Sequence, residues 1–250
     1  MIRRPSGAEA PRRQIQMSPV DRSTLGRDRA PTAPPPGVSP QFWSLVCAEP
    51  LADTNVLDVG TGAGRIALAL ASQARRVVGI DRDAAAIAEA RQRAAAARLT
   101  NVEFIELDAE TLADYRQLTA DWHRPDLVTA HLCVSDRIIE NAGRSLAPGH
   151  ALAFVAFHAD QWKETGRRSR FAYDEDHARR ALAEHGFAIE HFAVEREVQH
   201  FASVEQALAA AVGLAEKWRA DGRWFRYVKF LEEGGRTLTR AHLHVKARKA

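Results

Sequence analysis

The feature that most constrains this chain is the stretch Asn55-Val-Leu-Asp-Val-Gly-Thr-Gly-Ala-Gly-Arg-Ile-Ala-Leu-Ala-Leu-Ala71. An apolar strand ends at Val59, glycines at 60, 62 and 64 turn the chain, and an Ala/Leu-rich helix opens. Glycine permits a tight turn and the close approach of a ligand to the backbone. The new helix offers unpaired N–H groups and a positive dipole end to an anionic group. A second strand, Arg76-Val-Val-Gly-Ile-Asp81, ends in an acid able to accept hydrogen bonds from ribose hydroxyls. The combination predicts a site for an anionic, ribose-bearing small molecule on a fold of alternating strands and helices.

Spacing separates the candidate ligands. The dinucleotide fingerprint is G-x-G-x-x-G, whereas this chain reads Gly60-x-Gly62-x-Gly64, preceded by Asp58. A third strand, Val102-Glu-Phe-Ile-Glu-Leu-Asp108, ends in a further acid, and a fourth apolar stretch, Asp126-Leu-Val-Thr-Ala-His-Leu132, precedes a helix. With these motifs in order, the chain resembles the class I S-adenosylmethionine-dependent methyltransferases over about residues 50–160. The resemblance implies S-adenosyl-L-methionine as cofactor. It counts Asp58 among the cofactor-binding residues, places the methionine end at Gly60, Thr61, Gly62 and Gly64, and the ribose at Asp81 with Arg82 flanking the adenine. The adenine edge falls to Asp108 and Ala109, and His131, at the end of the family's substrate-facing strand, is expected to line the cofactor pocket. Each residue also has a plain structural use: a packing turn for the glycines, a helix cap for Asp81, a turn for Asp108.

The expected fold is α/β: a Rossmann-like, seven-stranded, mostly parallel sheet with helices on both faces and a small helical cap. Strands are expected at 55–59, 76–81, 102–108, 126–132, 151–157, from Phe187, and at 241–247. Helices are expected at 39–48, 63–74, 83–98, 111–120, 136–146 and 174–185. Ala151–Phe157 is a continuous apolar run, as a strand covered on both faces requires. Ser203-Val-Glu-Gln206 matches a capping box and opens a helical insertion, 203–235, that ends at Gly234-Gly235. In the fold that the chain resembles the last strand runs antiparallel, which implies that the insertion after strand six sits at the face where open α/β sheets bind ligands. Trp218, Trp224, Phe225 and Tyr227 are therefore candidates to cover a substrate, or to pack the insertion's helices together.

Composition narrows the function classes. Residues 1–40 hold seven arginines against Glu9, Asp21 and Asp28, and the formal total is +3, so residues 41–250 sum to −1. The basic balance belongs to a Pro-rich tail, read as disordered over 1–38 and followed by the methyltransferase domain over 39–250. A near-neutral folded part argues against a nucleic-acid grip. No apolar run reaches the length needed to span a membrane. Cys47 and Cys133 form neither a disulfide framework nor a metal spacing, which suits a reducing cytoplasm.

The expected activity is methyl transfer to a small-molecule acceptor, without a metal. His131 is the candidate base, and His158, at the end of strand five, is a second. Cys133 lacks the Pro-Cys pair of the cytosine-methylating enzymes it would otherwise resemble, so a small buried hydrophobe is its expected role. Arg167, Arg168 and Arg170 could meet an acidic acceptor or form a solvated cluster. His242-x-His244 is a pair without a third metal ligand. The alternatives are RNA methylation, a non-catalytic cofactor-binding or regulatory protein, and a nicotinamide-dependent oxidoreductase. Asp108 and the third glycine's spacing argue against the last.

Overall fold

A computed structural model describes residues 33–169 and 171–250. The expected tail over 1–38 therefore lies outside the described residues up to position 32. Residues 33–38 belong to the fold: Val38 is buried and its N–H donates to the Pro35 carbonyl at 3.0 Å. Arg65 Nη1 donates to the Pro36 carbonyl, also at 3.0 Å.

Eight strands form one sheet: β1 (Asn55–Val59), β2 (Arg76–Asp81), β3 (Val102–Glu106), β4 (Leu127–His131), β5 (Ala151–His158), β6 (Ala172–Tyr173), β7 (Phe187–His200) and β8 (Thr237–Lys249). The order is β3-β2-β1-β4-β5-β8-β7, with the two-residue β6 beside the end of β5. All pairings are parallel except those of β8, which is antiparallel to β5 and β7. The seven-stranded expectation is met along this path, and β6 is an addition to it.

Alternation along the strands builds two cores. Val56, Val77 and Leu127 face α1 (Pro40–Cys47), α2 (Arg65–Ala71) and α3 (Ala84–Ala96), which contribute Phe42, Ile66 and Ile87. Leu57, Val78 and Val128 face α4 (Asp136–Ser145) and α5 (Glu175–Glu184), which contribute Ile139 and Leu182. Helix starts follow their side chains. Ser39, Asp83, Ser135 and Asp174 each accept a hydrogen bond from a first-turn N–H.

The helix expected over 111–120 does not form. Side chains of α4 occupy the backbone groups that a helix would need. Asn141 donates to the carbonyls of Ala109 and Leu112, and Ser145 Oγ accepts from Tyr115 N at 2.6 Å. Tyr115 and Trp122 sink completely into the core, and Trp122 Nε1 donates to the Tyr115 carbonyl. The segment is a chain of turns wrapped on α4.

Strand β8 is longer than expected, and β7 runs 14 residues from the expected start at Phe187. β8 pairs with β5 only from His242 onward, so residues 237–241 continue beyond the sheet paired to β7 alone. That extension is about 17 Å long. At its tip sit three short helices, α6 (Val204–Ala210), α7 (Ala215–Ala220) and α8 (Arg223–Glu232). They share a small core of their own with Trp162, Phe201, Trp218, Tyr227 and Leu238.

Candidate active site

The carboxyl ends of β1, β2, β3 and β4 surround a cleft with about 610 Å³ of empty space. Val59, Gly60, Ile80, Asp81, Arg82, Leu107, Asp108, Ala109, Glu110, Leu132, Cys133, Ile138 and Phe171 line it. Its walls are mostly apolar with a few polar groups, the usual build of a small-molecule site. A wider depression at the opposite ends of the strands is polar and paired to itself, Arg76 with Glu103 and Arg75 with Asp126.

Sequence-predicted residues divide into two groups. Gly60, Asp81, Arg82, Asp108 and Ala109 come together on the cleft wall. Asp58, Thr61, Gly62, Gly64 and His131 do not line it. Asp58 points to the face opposite that of Val59, by the strand period of two, and Thr61, Gly62 and Gly64 lie in the turn beyond β1.

Asp58 is a strut beneath the glycine turn. It is 2% exposed, and its two oxygens accept from Thr61 Oγ1 at 2.7 Å and Thr129 Oγ1 at 2.8 Å. Burial pushes its carboxyl up to about 6, against the lowering effect of those two hydroxyls. Thr61 in turn donates its N–H to the Ile80 carbonyl, so the turn is tied to β1, β2 and β4 together. The glycines answer to different needs. A Cβ on Gly64, at a φ of +79°, would meet Phe104 Cζ at 2.8 Å, which is a packing role. A Cβ on Gly62, at +53°, would meet nothing within 4 Å.

Asp81 closes the turn from the cleft side. Its Oδ2 accepts from Gly62 N at 2.8 Å and its Oδ1 from Asp83 N at 3.0 Å. Asp108 Oδ1 accepts from Glu110 N at 3.0 Å, while Asn141 holds the Ala109 carbonyl. Two carboxylates thus stand at neighbouring strand ends between the aliphatic side chains Ile80, Leu107 and Ile138. This donor set fits an adenosyl group. Carboxylate oxygens can accept from ribose hydroxyls and a purine amine, and apolar walls can take the ring.

His131 turns away from the cleft and packs on Phe42 of α1, ring centroids 5.5 Å apart. Burial first, and then the positive charge of Arg65 and the nearby His242 and His244, hold its imidazole down to about 4. It is neutral near pH 7. His158 is buried and held between Glu175 Oε2 at 3.0 Å and Asp160 N at 3.1 Å. Cys133 Sγ lies 3.1 Å from the Val59 carbonyl, and burial pushes its thiol up to about 12. That rules out a ready thiolate and leaves Cys133 as a wall. A Cβ on Gly60 would lie 2.5 Å from this sulfur. Among the described residues, no group of three or more His, Cys, Asp or Glu is placed to hold a metal ion.

Several lining residues carry no motif. Leu132, at a φ of +63°, donates its N–H to the Val155 carbonyl, and its position beside the end of β4 is the one signal that could have marked it. Ile138 sits one turn into α4, and Phe171 lies far along the chain beyond β5. No cap residue lines the cleft. Trp218 and Tyr227 are fully buried in the cap's own core, Trp224 is half-buried against it, and Phe225 is exposed.

Known proteins agree with this geometry. The family described as "Methyltransferase domain" matches residues 51–229. A curated relative, the tRNA (guanine-N(7)-)-methyltransferase of Chloroflexus aurantiacus, is 32% identical over 170 residues, covering 54% of this chain and 75% of the relative. The fold is similar to that of an S-adenosylmethionine-dependent methyltransferase from Mesorhizobium loti, with a TM-score of 0.54 at 20% identity over 84% of this chain and 96% of that one. It is also similar to magnesium protoporphyrin IX methyltransferase from Synechocystis PCC 6803, with a TM-score of 0.54 at 16% identity over 84% and 80%. No helix among the described residues is long and apolar enough to cross a membrane. Family match, fold and cleft lead to one assignment: the chain belongs to the class I S-adenosylmethionine-dependent methyltransferases.

Proposed function

We propose that this methyltransferase acts on a small-molecule acceptor at oxygen, nitrogen or carbon. The observation that carries the reading is electrostatic: residues 41–250 sum to −1, and the basic excess lies in residues 1–40. A domain that grips nucleic acid usually carries its basic patch on the folded surface.

S-adenosylmethionine supplies an activated methyl group, so the protein's work is to bind, orient and exclude water. In this reading Asp81 accepts from the ribose hydroxyls, Asp108 and Ala109 meet the adenine edge, and Arg82 flanks it. The backbone from Gly60 to Gly62 takes the methionine end, with Asp58 and Thr61 bracing that turn from below. Val59, Leu132 and Cys133 keep water from the reacting end. His131, turned away from the cleft and held neutral, is not placed to meet an acceptor there. A group held down to about 4 is a weak general base at neutral pH.

A second reading is RNA methylation, favoured by the printed activity of the Chloroflexus relative. One experiment separates the two. The protein is incubated with methyl-labelled S-adenosylmethionine and a cell extract split into low-mass and RNA fractions. Label entering the low-mass fraction, and lost with Asp81→Ala, supports the proposal. Label entering RNA alone contradicts it and selects the second reading.

A further inference from the structure

The connection after β5, described over residues 159–169 and 171–174, is pinned more heavily than a connection requires. Trp162 holds a φ of +56°, in the left-handed region that L residues rarely adopt. Its N–H donates to the Thr239 carbonyl at 2.9 Å. Glu164 Oε2 accepts from Thr239 N at 3.0 Å, and Gln161 Oε1 accepts from Ala241 N. Thr165 is fully buried and donates to the Trp162 carbonyl at 2.8 Å. Backbone held in such a region by over-determined surroundings is concentrated at functional sites.

The far end of the loop is clamped to the cleft wall. β6 pairs with the end of β5, Tyr173 opposite His158, and Ala159 N donates to the Tyr173 carbonyl at 2.8 Å. Tyr173 is buried, and its hydroxyl donates to Asp136 Oδ1 at 2.7 Å. His177 Nε2 lies 2.9 Å from Asp136 Oδ2, and the Tyr173 and His177 rings are 4.8 Å apart. Asp136 opens α4, the helix that brings Ile138 to the cleft. Two residues before Tyr173, Phe171 lines that cleft beside Glu110 and Ile138. It is the one aromatic among the lining residues, and the one that comes from beyond α4.

We propose that Phe171 is an aromatic wall for the adenosyl group, and that Tyr173, Asp136 and His177 position it. The inference rests on the cleft taking S-adenosylmethionine. The remaining apolar lining is aliphatic or thiol, so Phe171 alone offers a π face or edge to a purine.

Calorimetric titration of the full chain with S-adenosylhomocysteine tests this. Phe171→Ala should raise Kd about tenfold, within the range that base–aromatic stacking contributes. Its thermal midpoint should fall only modestly and the protein stay folded, because the ring is part-buried. Phe171→Trp should restore affinity. Tyr173→Phe removes one hydroxyl and should weaken binding less than Phe171→Ala. If Tyr173 acts through Phe171, the double variant binds no more weakly than Phe171→Ala alone. Losses that simply add would overturn the positioning role. A Phe171→Ala protein with the parent's Kd would overturn the proposal and leave the cofactor assignment standing. A parent that does not bind S-adenosylhomocysteine would overturn both.

Discussion

Asp58 shows how a motif residue can brace a turn from inside the fold. The carboxyl is buried between two threonine hydroxyls, and its pKa is raised to about 6 from an ordinary value near 3.9. A raised folded value means that stability is fully present below about pH 4 and is lost as pH climbs through 6. Asn at this position keeps one acceptor and gains a donor, so both hydroxyls stay satisfied. Asp58→Asn should therefore gain stability over the parent between pH 4 and 7, by up to about 3 kcal/mol. Denaturant unfolding at several pH values checks the slope, and a difference that is flat with pH would contradict this account. His131 acts in the opposite sense. Its depressed value removes stability as pH falls from about 6.5 toward 4, so only the difference between variant and parent isolates Asp58. At this scale Asp81 and Asp108 were legible in the sequence, because each ends a strand at a spacing set by the fold. Phe171 was not, because a contact made across more than thirty residues of intervening chain leaves no local pattern.

At the scale of elements, periodicity located β1 to β5 and the helices with side-chain caps. It failed over 111–120, where Asn141 and Ser145 from another helix capture the backbone groups. It also shortened β8, since a strand that leaves the sheet to support a cap loses the apolar face that marks it. The cap aromatics resolve by burial. Trp218 packs edge-on to Trp162 and Tyr227, with centroids at 5.2 and 5.6 Å, and belongs to the cap core. Trp224 lies half-buried beneath Arg219, whose guanidinium is 5.2 Å from the ring centroid. Trp224→Ala should cost about 2 kcal/mol, below the 3–5 kcal/mol of a fully buried ring. It should leave affinity for S-adenosylhomocysteine unchanged, because Trp224 does not line the cleft. Thermal unfolding and calorimetry on the same protein check both parts. Weakened cofactor binding at an unchanged midpoint would place Trp224 on the ligand instead.

Across the whole molecule, the folded unit from Ala33 to Ala250 carries its own core on both sides of the sheet. Its start is secured by Val38 and by the Arg65–Pro36 contact. Deleting residues 1–32 should thus leave the thermal midpoint and cofactor affinity as they are in the full chain, and a large fall in either would mean that those residues dock on the fold. The central claim concerns the cleft itself: two acids at the ends of β2 and β3, beside a glycine turn, make an adenosyl site for methyl transfer. Calorimetry of the parent and of Asp81→Ala with S-adenosylhomocysteine and with NAD tests it most directly. The parent should bind S-adenosylhomocysteine and show little heat with NAD. Asp81→Ala should lose about 1.5–3 kcal/mol for each charge-assisted hydrogen bond removed. Tight NAD binding by the parent, or undiminished S-adenosylhomocysteine affinity in Asp81→Ala, would contradict the assignment.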